Sequence, residues 1–139
     1  MTSDRDLDTA YRQTVYRVHR PDVPVDFCVD EHSPALQELL RSYASDSAAF
    51  LTAHNPGSRL MSQMHNCNAQ AALEAQARGM GATALPGVAL DPQGAWPAED
   101  SLLLVNIDRE AACNLGRRFG QNALVWIDQT GLPELVWLT

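Results

Sequence analysis

Residues 101–107 read Ser-Leu-Leu-Leu-Val-Asn-Ile, an almost unbroken apolar run of strand length. A strand on a half-exposed sheet would alternate apolar with polar residues. This one does not, so it reads as a central strand that is apolar on both sides. The rest of the chain has to supply its neighbours and its cover.

Those neighbours are legible in the apolar spacing. Leu7, Ala10 and Tyr11 fall at helical intervals, which predicts a short helix over 4–13. The period then drops to two. Val15, Arg17 and His19 alternate with Tyr16 and Val18. Beyond the turn formers Arg20-Pro21-Asp22, Val23, Val25, Phe27 and Val29 alternate with Pro24, Asp26 and Cys28. This predicts a hairpin whose second strand buries Val25, Phe27 and Val29. Pro24 lacks an N–H, so it suits an edge or a strand start.

Ser33-Pro34 marks a helix start: the serine caps the first amides and proline fits the first helical position. Leu36, Leu39, Leu40 and Tyr43 continue it, giving a helix over 34–44. Ala48 to His54 reads as a strand, broken sharply by Asn55-Pro56-Gly57-Ser58. Ser62 caps a second helix that runs to Arg78 and stops at Gly79–Gly81. Residues 82–90 form a strand in which Pro86-Gly87 reads as a bulge. Asp108 caps a third helix carrying Ala112, Leu115 and Phe119 on one face, and Gly120 ends it. Strands 122–127 and 133–138 close the chain as a hairpin, with Trp126 and Trp137 expected as cross-strand partners.

The predicted order is α-β-β-α-β-α-β-β-α-β-β. It implies an α+β fold: a mixed, mostly antiparallel sheet packed by about three helices, with 1–13 as an N-terminal helical extension. At 139 residues, without an internal repeat or linker, the chain reads as a single domain over 1–139.

Charge narrows the partners. The formal net charge is −7 and the ten basic residues are dispersed, which argues against nucleic acid and against an anionic membrane surface. Cys28, Cys67 and Cys113 form no CxxC pair and are expected to be reduced thiols. Met1 to Thr9 is polar, unlike a signal peptide, and no apolar run reaches membrane-spanning length. A cytoplasmic location is the expectation. His65 and Cys67 would point about 200° apart on a helix, so a metal shared with His54 is not expected, nor is a cofactor. Trp96, between Ala95 and Pro97, reads as an exposed loop aromatic.

The stretch from Phe50 to Ser58, together with Asn66, carries the most information about a site. A strand ending in Asn-Pro-Gly-Ser before a helix sets small polar groups beside free helix amides. The run Thr52-Ala53-His54-Asn55-Pro56-Gly57-Ser58-Arg59 resembles the bacterial family known as domain of unknown function 3293. Asn66 lies seven residues before Leu73, as that pattern has it. Trp96-Pro97-Ala98-Glu99-Asp100-Ser101 and Leu115-Gly116 through Phe119-Gly120-Gln121-Asn122-Ala123 extend the likeness across 45–138. The family pattern often carries a basic residue three positions after the helix Asn. Ala69 stands there instead, which weakens the case for an anion site on that helix. The resemblance implies an uncharacterised bacterial protein and no established reaction.

If the strand ends meet at one edge of the sheet, Thr52, Asn55, Ser58, Asn66, Glu99 and Gln121 form a polar pocket for a small polar ligand. Glu99 would be its one strong acid or base. The same amides serve equally as a buried network that braces loops. The alternative is a protein-interaction or regulatory module, with the apolar C-terminal strand around Trp137 pairing in a homodimer. A concave site containing Asn55 and Gln121 favours the first reading.

Overall fold

The computed structural model describes residues 4–139. Helix α1 (Asp4–Gln13) leads into strands β1 (Val15–Val18) and β2 (Val25–Phe27), then helix α2 (Pro34–Ser42). Strand β3 (Ala48–Leu51), a 3₁₀ turn (Pro56–Ser58) and helix α3 (Gln63–Gly79) come next. The chain continues through β4 (Thr83–Leu90), β5 (Glu99–Val105), α4 (Arg109–Arg118), β6 (Ala123–Ile127) and β7 (Pro133–Trp137). The α+β class and the order of elements agree with the sequence reading.

The seven strands form one sheet in the order β2-β1-β4-β5-β3-β6-β7. Every neighbouring pair is antiparallel, so the sheet is not mixed. The reason lies in two interlocked crossovers. Helix α3 links β3 to β4, but β5 is inserted between them. Helix α4 links β5 to β6, and there β3 is the inserted strand. Each helix therefore joins two strands of like direction that never pair, as in a split β-α-β unit.

Strands β5 and β3 occupy the middle, and side-chain alternation sorts their residues into two cores. Leu103, Val105, Ala48 and Phe50 face α2, where Leu36, Leu39 and Leu40 are buried. Leu102, Leu104, Ala49 and Leu51 face α3 and α4, against Leu73, Ala77, Ala112 and Leu115. Three capping serine or aspartate side chains start the helices. Ser33 Oγ accepts from Leu36 N at 3.1 Å, Ser62 Oγ from His65 N at 3.1 Å, and Asp108 Oδ1 from Ala111 N at 2.7 Å. Each satisfies an amide that the helix itself leaves unpaired.

The sheet curls around the α2 face. The segment after β2 reaches the opposite edge, where Asp30 N donates to the Pro133 carbonyl and Ser33 N to that of Gly131, both at 2.9 Å. Helix α1 crosses the same face. Its Tyr11 ring meets Trp137 edge-on, with centroids 5.5 Å apart.

Some details depart from the sequence reading. Trp137 lies opposite Ala123, and Trp126 opposite Glu134, so the two tryptophans are not cross-strand partners. They belong to different faces because Trp126 stands an odd number of positions from Ala123, the partner of Trp137. Val25 is only half-buried, whereas Phe27 and Val29 are buried. Residues 86 and 87 form no bulge: pairing runs unbroken from Thr83 to Ala89. Gly87 is there for space. A Cβ on it would meet the Arg17 carbonyl oxygen at 2.5 Å and the Phe50 ring at 2.9 Å. Gly87→Ala is expected to lower unfolding free energy by about 2–3 kcal/mol in denaturant titrations, through overpacking. Gly79→Ala, with nothing within 4 Å of its added Cβ, should lie within about 1 kcal/mol of wild type or above it.

Candidate functional site

Strand β3 ends at Leu51 instead of continuing to His54, because side chains take over its hydrogen bonds. Thr52 Oγ1 donates to the Asp100 carbonyl at 2.6 Å and accepts from His54 N at 3.0 Å. Ala53 N donates to Gln70 Oε1 at 2.9 Å. The chain then turns at Asn55, which holds φ 48 and ψ 61. Asparagine is among the few residues that tolerate this left-handed region.

Asn55 is the hub of the polar network at this end of the sheet. Its backbone N donates to Asn66 Oδ1 at 3.0 Å, and its Oδ1 accepts from Asn66 Nδ2 at 3.0 Å. The same Oδ1 accepts from Met61 N at 2.9 Å, and Asn55 Nδ2 donates to Glu99 Oε2 at 2.8 Å. One loop residue thus ties β3 to α3 and to the start of β5.

A second tie comes from the end of α4. Gly57 N donates to the Gly120 carbonyl at 2.7 Å, and a Cβ on Gly120 would meet Pro56 Cβ at 2.7 Å. Gly120 also holds φ +71, so glycine is required there twice over. Gln121 Nε2 donates to the carbonyls of His54 at 3.1 Å and Phe119 at 3.3 Å. Asn122 Nδ2 donates to Ser58 Oγ at 2.9 Å.

Thr52, Asn55, Ser58, Asn66, Glu99 and Gln121 therefore come together at one end of the sheet. Their positions differ. Asn66 and Gln121 are each 7% exposed, and Asn66 sits behind Asn55. The other five border a cavity of about 430 Å³ on the α2 face, and Asn66 does not. Tyr16, Phe50 and Val125 floor it, Leu7, Ala10 and Tyr11 of α1 wall it, and Leu60 and Trp96 stand at its lip.

Sequence reasoning missed most of that apolar wall. Trp96 is not an exposed loop aromatic; it is half-buried, packed against the core and part of the cavity. Tyr11 is, in the sequence, no more than one member of a short helical stripe. His54, Tyr16 and Asn122 also line the space. The Trp96-Pro97 pair beside Glu99 was the one local signal available. Nothing in the spacing says that α1 folds back over β6 and β7.

The electrostatics are simple. Burial, and then the charge of Glu99, push the Tyr11 phenol up to about 12, against a hydrogen bond from Asn122. Burial likewise raises Tyr16, whose hydroxyl donates to the Tyr11 carbonyl at 3.0 Å. Both phenols are neutral hydrogen-bonding groups at neutral pH and neither serves as a phenolate base. Among the described residues no three His, Cys, Asp or Glu side chains gather as a metal-binding group. Nor is any helix among them long and apolar enough to cross a membrane.

Fold and site together define an antiparallel α+β domain with a concave cavity, walled by an N-terminal helix and polar at one end. The chain belongs to the family described as Protein of unknown function (DUF3293), whose model matches residues 51–124, just over half of its length. That span contains every residue of the Asn55 network and ends at Leu124, while Tyr11 and Tyr16 lie outside it. No curated protein and no solved structure matches the chain.

Two measurements probe this geometry. Asn66→Ala leaves the Asn55 backbone N–H without its partner and removes one of the two bonds to Asn55 Oδ1, and should cost about 2–3 kcal/mol of stability. Asn68→Ala, on the exposed side of α3, should stay within about 0.5 kcal/mol. The tyrosines set an alkaline limit. Tyr11 is neutral in folded and unfolded chains below its ordinary value of 10.0, so its burial adds no pH dependence there. Above 10.0 the unfolded chain loses the proton first, and stability falls as pH rises toward about 12. Phenolate absorbance in the folded state should lag behind that of the denatured chain over this window.

Proposed function

We propose that this protein binds a small ligand in the cavity between α1 and the curled sheet, held at one end by the Asn55, Glu99 and Gln121 group. The observation that carries this reading is the cavity itself, about 430 Å³, within the usual range for small-molecule sites. Loop bracing accounts for the bonds of Asn66 and Gln121. It does not require an aromatic-walled space beside them. Apolar walls meeting a few convergent polar groups are the ordinary composition of a ligand pocket.

The interaction-module reading keeps one observation in its favour: β7 is an outer strand of the sheet. Its start is already engaged by the segment after β2, and Trp137 packs inward on Tyr11. Homodimer pairing through β7 therefore has only a short free edge to use.

A thermal-shift screen against nucleotides, amines, amino acids, sugars and sugar phosphates tests the proposal, with Ala10→Trp as the control. Ala10 borders the cavity from an exposed position on α1, so an indole there fills the space without disturbing the core. A ligand at a hundred times its Kd should stabilise wild type by about 2.7 kcal/mol, seen as several degrees in Tm. The shift should vanish in Ala10→Trp. A screen silent on wild type, or a shift that survives the blocking substitution, would sink the reading.

A further inference from the structure

We infer that the ligand is a small organic cation: an amine or guanidine head group seated at Glu99, on an apolar or flat body among Tyr11, Tyr16, Phe50 and Trp96. This rests on reading the cavity as a ligand site.

The first argument is charge. All ten basic residues of the chain are arginines, and among the described side chains no arginine lines the cavity. Arg59 falls between Ser58 and Leu60, but its side chain is exposed and outside the wall. Among the described residues Glu99 is the one acidic side chain in that wall. Among the described residues an anionic ligand would find no arginine there, only the His54 imidazole, and would face the Glu99 carboxylate. A cation would find its partner.

The second argument is the hydrogen-bond inventory. Both hydrogens of Gln121 Nε2 are committed, to the His54 and Phe119 carbonyls. Asn55 Nδ2 is donated to Glu99, and Asn122 Nδ2 to Ser58. Each of these amides thus commits a donor to the network that holds the loops, Gln121 both of its hydrogens and Asn55 and Asn122 one each. Among the described residues, neither the second Glu99 oxygen nor Gln121 Oε1 accepts a hydrogen bond. A polar end with two oxygen acceptors to spare suits a ligand that donates. The field of Glu99 is felt inside the cavity, since it helps to raise the Tyr11 phenol.

The third argument is the wall. The chain has nine aromatic residues, three each of Phe, Trp and Tyr, and four of them surround this one space. Aromatic rings attract cations through their quadrupoles, more strongly where water is excluded. They also suit a flat body, and the pairing of a carboxylate with several rings is a chemically coherent site for an organic ammonium group.

Matched probes test the charge directly. Tyramine and tryptamine are compared with 4-hydroxyphenylacetate and indole-3-acetate, and with indole as the neutral body. Binding to the full chain is read by calorimetry and, for the two phenolic probes, also by tryptophan fluorescence, to which Trp96 should respond. The amines are expected to bind at least about ten-fold more tightly than the acids of like shape, with the preference weakening as salt rises. Glu99→Gln keeps an acceptor for Asn55 and should reduce that preference to about two-fold or less, with Tm and circular dichroism confirming the fold. Trp96→Leu should weaken the amines while Glu99 remains in place. Acids binding as tightly as amines in wild type would overturn the inference without recourse to any variant. So would a preference that survives Glu99→Gln. If no probe binds while the wider screen yields an uncharged or anionic ligand blocked by Ala10→Trp, the cation class is wrong and the cavity reading stands. If that screen is silent too, both fall.

Discussion

Strands β3 and β5 lie side by side with apolar side chains on both faces, and the molecule is arranged to keep water from both. One face is covered by α3 and α4, which arrive as crossovers that each skip a strand. The other is covered by α2, around which the sheet curls until the chain after β2 bonds to Pro133 at the start of β7 and to Gly131 in the turn before it. Two-sided burial removes apolar area from water twice per strand, and it is the largest stabilising contribution available to a chain of this size. The insertion of β3 and β5 between helix-linked strands also makes every ladder antiparallel.

The cavity is a consequence of that curl. Helix α2 fills one end of the concave face. Toward the other end the sheet runs out into the Asn55 loop and the start of β5, and α1 lies across the gap. The polar groups there are rigid for a physical reason. Asn55 satisfies its own backbone, its side chain and the Met61 amide through one left-handed turn, and Asn66 answers it atom for atom. Buried amides that are fully paired cost little and fix geometry; left half-paired they would be among the costliest groups in the fold. The same pairing engages Gln121 through its donors and leaves acceptor oxygens of Glu99 and Gln121 at the cavity, so the bracing of the loop and the chemistry of the cavity are two aspects of one network.

Much of this is legible in the chain because the signals are local. Ser33, Ser62 and Asp108 cap helices through contacts three residues away, and alternation over four to seven residues is enough to mark a strand. The convergence of Asn55, Asn66, Glu99 and Gln121 can be posed as a question, since each stands at the end of an element. What fails are readings that depend on a neighbour distant in sequence. Pro86-Gly87 has the composition of a bulge, yet glycine is there because Arg17 and Phe50 press on it. Trp126 and Trp137 have the spacing of partners, but the pairing register puts them on opposite faces.

The sequence alone determined which residues form helices and strands, that one strand is buried on both sides, and which polar residues stand at element ends. Those properties rest on backbone sterics and on spacing within a few residues. Only the tertiary structure decided that both crossovers skip a strand, that the sheet curls, and that Tyr11 and Trp96 close a space over Glu99. These outcomes come from many weak contacts between residues tens of positions apart, and no local pattern encodes which of the competing arrangements leaves the fewest polar groups unpaired and the least apolar surface wet.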